Sequence, residues 1–144
     1  MTPQTRAEKC AALMFAKDAA SQTLGMRIDS VGPGTATLVM NVRDDMVNGL
    51  GICHGGVIFT LADSALAFAS NSYNALTVAQ QLQITYVTPA KVGNTLFATA
   101  AEVARVGRSG TYDVTVTKED GTKIALFRGL TRSIKGQHFK EDTQ

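Results

Sequence analysis

A chain of 144 residues, 44% of them apolar and 18% charged, is long enough to bury one full core without disulfide or metal. A net charge of +2 offers no dense basic face for nucleic acid. Cys10 and Cys53, the only two cysteines, have neither CxxC nor zinc-type histidine spacing, so no metal site or disulfide framework is signalled and a cytoplasmic setting fits. The short apolar run 11–16 does not read as a signal segment, and the longest apolar run is too short for a bilayer and contains Asp63.

In chain order, Ala7, Cys10, Ala11, Met14 and Phe15 recur at helical intervals, predicting one amphipathic packing helix over about 5–24 that ends at Leu24-Gly25. Two short strands, 26–30 and 35–42, are joined by Gly32-Pro33-Gly34 as a hairpin. A long loop, 43–53, leads into a helix over about 55–72 that is apolar on all sides apart from Asp63. Four strands follow, 77–88, 95–106, 110–119 and 124–134. Short turns between them, Asp120-Gly121 among them, predict a meander in which sequence neighbours pair. The tail 135–144 is polar and expected to fray. The expected class is α+β, a single domain over 1–144 with about six strands curved around one long helix. The uncovered side of that helix would be closed by the same helix of a second copy, where Ala62, Ser64, Ala65 and Ala69 permit close approach.

The chemistry gathers at the start of this helix. Gly55 and Gly56 stand where backbone N–H groups lack partners and the helix dipole is positive, so they can hold a phosphate or a polarised carbonyl oxygen, or simply allow close packing. Gly49-x-Gly51 is not a dinucleotide fingerprint, because His54 stands where the third glycine belongs, and no phosphate-loop lysine is present. Asp63, among Leu61, Ala62, Ala65 and Leu66, should have a raised pKa and can act as base toward water, as nucleophile, or as a structural acid. Gly56 and Asp63 face the same way but lie about 10 Å apart along the axis. One small reacting group cannot touch both, whereas two antiparallel copies would bring the donors of one to the acid of the other. His54 can contact substrate or orient the loop. Asn48 can donate to a carbonyl oxygen or act as a turn residue. Cys53 reads as a spectator thiol. Lys91, Arg105 and Arg108, near turns, can receive phosphates or stay solvated.

These residues resemble the hotdog-fold acyl-CoA thioesterases of the PaaI type. The resemblance spans about 13–134 and rests on Asn48-Gly49, His54-Gly55-Gly56 and Leu61-Ala62-Asp63-Ser64. Ile84-Thr85-Tyr86 before Pro89, Val106-Gly107-Arg108 and Ala125-Leu126-Phe127-Arg128-Gly129 support it. It implies a curved antiparallel sheet wrapped around the long helix, dimers paired into tetramers, and active sites at the dimer interface. It also implies that Gly55 and Asn48 polarise the thioester carbonyl, His54 supports the loop, and Asp63 of the other subunit is base or nucleophile. Gly56, Ser64, Lys91 and Arg108 become candidate contacts to an acyl-CoA substrate of aryl-acetyl type, with no separate cofactor. Some relatives hold the attacking water with a Ser or Thr on the strand after the helix; the corresponding position here is Ala79, with Thr77 and Gln80 nearby. A hotdog dehydratase would need a His–acid pair, and His54 and Asp63 point to opposite faces if both are helical. An acyl-CoA-binding module without turnover is the reading from another class.

Overall fold

In the computed structural model, which describes residues 1–142, the chain forms three helices and six strands. Helix α1 (Pro3–Phe15) starts at a Thr2 cap that accepts from the Thr5 N–H, and helix α2 (Ala19–Thr23) follows after a break. The single helix expected over 5–24 is therefore two. Asp18 ends the first pattern by capping the second: its carboxylate accepts from the Ser21 N–H at 3.0 Å, a bond available only to a residue outside the helix. Gly25 closes this segment at φ 70°, the left-handed conformation expected of it.

Strands β1 (Arg27–Gly32) and β2 (Thr35–Asn41) form the hairpin around Pro33-Gly34. A 3-10 turn at Asp44–Met46 then leads to helix α3 (Gly55–Ser70). Strands β3 (Thr77–Tyr86), β4 (Thr95–Val106), β5 (Ser109–Lys118) and β6 (Lys123–Ser133) complete one antiparallel sheet in the order β1-β2-β4-β5-β6-β3. The meander thus holds for β4, β5 and β6 alone. β3 pairs with β6 at the far edge, and β2 takes the place beside β4. The segment 88–94 is not a tight turn. It crosses from the β3 edge of the sheet to the interior strand β4 beneath the start of α3, bonded on the way to Cys53 through the Ala90 carbonyl and to Val42 through Gly93 and Asn94.

The sheet curls around α3. Ile58, Leu61, Ala62, Ala65, Leu66 and Phe68 of the helix are buried against Leu38, Met40, Leu96, Ala98, Val114, Val116 and Phe127. The alternation along β2, β5 and β6 supplies these inward residues. Gly129 lies on β6 where Leu66 and Leu82 meet, and a Cβ there would collide with both. One stripe of α3 stays only partly covered: Gly56, Thr60, Asp63 and Ala67, at helical spacing and with small or polar side chains. No helix among the described residues is long and apolar enough to cross a membrane.

The polar tail is docked rather than frayed as far as it is described; the expectation for 143–144 lies outside the described residues. Asn74, buried and at φ 63°, donates to the Phe139 carbonyl and Glu141 and accepts from the backbone N–H groups of His138 and Phe139. Glu141 makes a two-pronged ion pair with Arg6 of α1, and Lys9 sits over the Phe139 ring. Asn71, the C-cap of α3, donates to the Ala67 and Thr77 carbonyls, so its Oδ1 is the acceptor for His138 Nε2–H at 2.8 Å.

Candidate active site

An isolated bridge between Val47 and Cys53 closes a small loop at the mouth of α3. Asn48 shapes it from within. Its Oδ1 accepts from the Leu50 N–H at 2.9 Å and the Ile52 N–H at 3.4 Å, an Asx-type turn that Gly51 completes at φ 76°. With Oδ1 committed, Asn48 Nδ2 is the end left to donate, and among the described residues it meets no acceptor.

His54 caps α3. Its Nδ1 accepts from the Gly56 N–H at 2.9 Å, which puts the neutral ring's proton on Nε2. This narrows what the two glycines can offer. The Gly56 N–H is already engaged by His54, whereas the Gly55 N–H points out of the helix start with no acceptor among the described residues. Gly55 is required for a second reason. Tyr86, at the end of β3, lays its ring on this residue and donates its O–H to the Gly55 carbonyl at 2.6 Å; a Cβ at 55 would stand 2.9 Å from Tyr86 Cζ and Oη. Nothing in the sequence marks Tyr86 beyond its place in a matching motif, because the contact joins residues far apart in the chain. Burial, with a smaller effect of Cys53, pushes the Tyr86 hydroxyl above its ordinary pKa, which keeps it a donor.

These groups line a cavity of about 410 Å³ with Asn48 and Gly55 at its polar end and Ile52, Ile58, Tyr86 and Pro89 on its apolar walls. A hollow of about 440 Å³ on the outer face of the sheet holds none of these donors; its Asp113 and Arg128 satisfy each other at 2.6 Å. Cys53 is buried beside the first cavity, and burial pushes its thiol up, away from a nucleophilic thiolate.

Asp63 lies on the partly covered stripe, two turns from Gly56. Its carboxyl makes no hydrogen bond among the described residues, and its pKa is raised, first by desolvation and then by the Asp18 charge. Within one chain it is separated from the Gly55 N–H by about 12 Å of helix. Ser64 does not face the cavity: its hydroxyl bonds Ser21 of α2 at 2.8 Å. Ala79 is exposed on β3, next to a bulge at Gln80, and the Thr77 hydroxyl is held by the Ala75 carbonyl and Ser133.

The basic candidates stand at opposite ends. Lys91 lies exposed on the crossing segment beside the loop, its N–H bonded to Asn94. Arg108 forms the β4–β5 turn and lines a small cleft with Ser70, at the far end of α3. Arg105 is committed to Glu102 at 3.2 Å and stacked 3.6 Å over the Tyr73 ring. The structure thus brings Asn48, His54, Gly55, Gly56 and Lys91 together in one chain and leaves Asp63 and Arg108 apart from them.

A six-stranded antiparallel sheet curled around a single long helix is the hotdog fold. Residues 50–125 match the family model of the thioesterase superfamily. The acyl-coenzyme A thioesterase PaaI of Escherichia coli is 38% identical over 123 residues, 85% of this chain and 88% of that protein. The solved structure of the E. coli PaaI protein from the phenylacetic acid degradation operon superposes with a TM-score of 0.93 at 36% identity, covering 94% of this chain and 99% of that one. A Streptococcus mutans protein bound to acetyl CoA matches with a TM-score of 0.75 at 28% identity, over 78% of this chain and 90% of its own. The chain belongs to the thioesterase superfamily, among its hotdog-fold acyl-CoA thioesterases of the PaaI type, and is a thioester hydrolase.

Proposed function

We propose that this protein hydrolyses aryl-acetyl-CoA thioesters, phenylacetyl or hydroxyphenylacetyl among them, in phenylacetate breakdown and at sites shared by two copies of the chain. The observation that carries the shared site is the separation of complementary halves on one helix. An N–H and an amide donor stand at the start of α3, and a carboxyl with no partner among the described residues lies two turns along its partly covered stripe. Two-fold pairing in which like helices run antiparallel brings each half to the other.

The edge of the sheet supports that pairing. β3 is ten residues long, its outer backbone edge pairs with no strand among the described residues, and Val78 and Tyr86 on it are 45% and 49% exposed. A long, partly apolar edge of this kind is a template for another strand. Pairing β3 with its copy continues the sheet and lays the two α3 stripes against each other. Arg108, at the far end of α3, then reaches the Lys91 end of the other subunit, where both can meet the phosphates of CoA. The dimers can pair again into tetramers. Likeness to PaaI, named for phenylacetic acid degradation, supports the aryl-acetyl assignment; the acetyl CoA held by the S. mutans relative supports a CoA thioester.

In this reading the thioester oxygen accepts from the Gly55 N–H and Asn48 Nδ2, which stabilise the negative charge that develops on it. Asp63 of the other subunit takes a proton from water as the water oxygen bonds to the acyl carbon. The tetrahedral adduct then expels the CoA thiolate, which recovers the proton from Asp63, leaving free acid and CoA. If Asp63 instead attacks the acyl carbon itself, a burst of thiol precedes acid release.

A thiol-release screen over aryl and aliphatic acyl-CoAs, with Asp63→Asn as the blank, tests the assignment. Phenylacetyl- and hydroxyphenylacetyl-CoA should give the highest kcat/KM, and the variant should lose roughly 100-fold or more in kcat while remaining assembled. A clear preference for straight-chain acyl groups would overturn the substrate class, and near-normal turnover by Asp63→Asn would overturn the role of the acid.

A further inference from the structure

The break between α1 and α2 has a consequence at Asp63. A helix of five residues has little stability of its own. Here it is held by its cap and by a bond into α3. Asp18 accepts from the Ser21 N–H through Oδ1 and from the Ser21 hydroxyl through Oδ2, at 3.0 and 2.6 Å. A carboxylate can only accept, so the Ser21 proton belongs to Asp18, and the 2.8 Å contact between Ser21 and Ser64 requires Ser64 to be the donor. Ser21 is 1% exposed, so the relay is shielded from competing water. Its far end is the residue directly after Asp63.

The surroundings of Asp63 make this placement consequential. Asp63 is the only ionisable side chain in α3. The strands packed beneath the helix turn apolar side chains toward it. Among the described residues, Asp18, on the cap of α2, is the charge set against Asp63, and its sign opposes ionisation. No hydrogen-bond donor among the described residues offsets that repulsion.

We infer that Asp18 is a positioning residue for Asp63: through the Ser21–Ser64 relay it holds the helix turn that carries the carboxyl, and its negative charge, set against that carboxyl, favours the uptake of a proton from water. The inference rests on the reading of Asp63 as the base of the hydrolysis. It gives the split N-terminal segment a task in the reaction, which an unbroken packing helix could not perform.

The pH dependence of kcat/KM tests it, because the acid limb reports the base of the free enzyme. Asp18→Asn keeps a capping oxygen and removes the charge. Asp63 then ionises more easily, so the limb should move to lower pH by roughly half a unit, raising activity on that limb about threefold relative to the plateau. The plateau itself should fall, as a weaker base takes the proton less readily. Ser21→Ala keeps the charge but cuts the relay: kcat should drop several-fold, with KM little changed and the limb displaced less than in Asp18→Asn. A merely structural Asp18 would lower thermal stability and leave the limb in place; an unmoved limb in an assembled Asp18→Asn enzyme overturns the inference. Asp18→Ser, another uncharged cap, repeats the measurement if Asp18→Asn does not assemble. If neither neutral variant assembles while Asp18→Glu does, the charge serves the fold and the inference fails. Asp63→Asn in the same series separates the two claims: if it is active, the base assignment falls; if it is inactive and the limb in Asp18→Asn stays put, only the role of Asp18 falls.

Discussion

Asp63 carries a cost that its proposed chemistry explains. A carboxyl that is half-buried, faced by Asp18 and without a donor is harder to ionise in the folded chain than in the unfolded one. The sign of the linkage follows. A group with a raised folded pKa contributes its full stability below the unfolded value and loses that contribution as pH rises through the folded value. Above the ordinary aspartate range the folded protein therefore bears a cost for this charge that the unfolded chain does not. Asp63→Asn removes that charge while keeping the shape, so the inactive variant should melt at a higher temperature than wild type at neutral pH. The gap should shrink as pH falls through the folded value and close below about pH 3, under the ordinary aspartate value, where the wild-type carboxyl is protonated in both states. Parallel melting curves across that range would mean that the carboxyl is compensated in the assembled protein. Asn48 and His54 show a different economy. Each commits one polar atom to shaping the loop, Oδ1 or Nδ1, and in Asn48 the opposite end of the side chain remains for substrate.

At the scale of elements, the sequence was most readable where a signal is local. Gly25, the Pro33-Gly34 turn and Asp120-Gly121 stop or turn the chain through their own backbone preferences, and they do so where expected. The run into α3 was legible because one lone acid in an apolar helix, seven residues past Gly56, has few structural excuses. Non-local choices were not legible. Alternation identifies β3 as a strand but not its partner, and it pairs with β6 because the 88–94 segment crosses under α3. The break at 16–18 depended on Asp18 finding Ser21, and the engagement of the Gly56 N–H on the ring position of His54. The tail was misread because its anchors, Asn71 and Asn74, lie more than sixty residues upstream. Removing residues 138–144 should lower the unfolding free energy by roughly 1–3 kcal/mol, since the buried amide of Asn74 loses its partners. That contribution should itself depend on pH. Burial lowers the pKa of docked His138, so the unfolded chain takes up a proton first as the solution is acidified. The part that His138 adds is complete above the ordinary histidine range and is lost as pH falls through the lower folded value. Urea titrations of the full and shortened chains should therefore differ most at neutral pH, and the difference should narrow as pH falls below the ordinary histidine range.

For the whole molecule, the decisive matter is whether one chain can work alone. The two halves of the proposed site are fixed about 12 Å apart on a rigid helix, and no side-chain rotation closes that distance. If the sites form between two copies, each contains Asn48 and Gly55 from one subunit and Asp63 from the other. Asn48→Ala and Asp63→Asn would then damage opposite halves. In a heterodimer of the two variants, one site receives both substitutions and the other receives neither. Co-expression with free assortment makes half of the dimers mixed, and each mixed dimer has one intact site of two. The preparation should therefore recover about a quarter of wild-type activity, although each variant alone is nearly inactive. The result does not depend on whether dimers pair further into tetramers, because each site belongs to one dimer. A site contained within a single chain would give no recovery above the sum of the separate variants. Recovery at the expected level would show that the partly covered stripe of α3, with Gly56, Thr60, Asp63 and Ala67, is the seam along which two half-sites become whole.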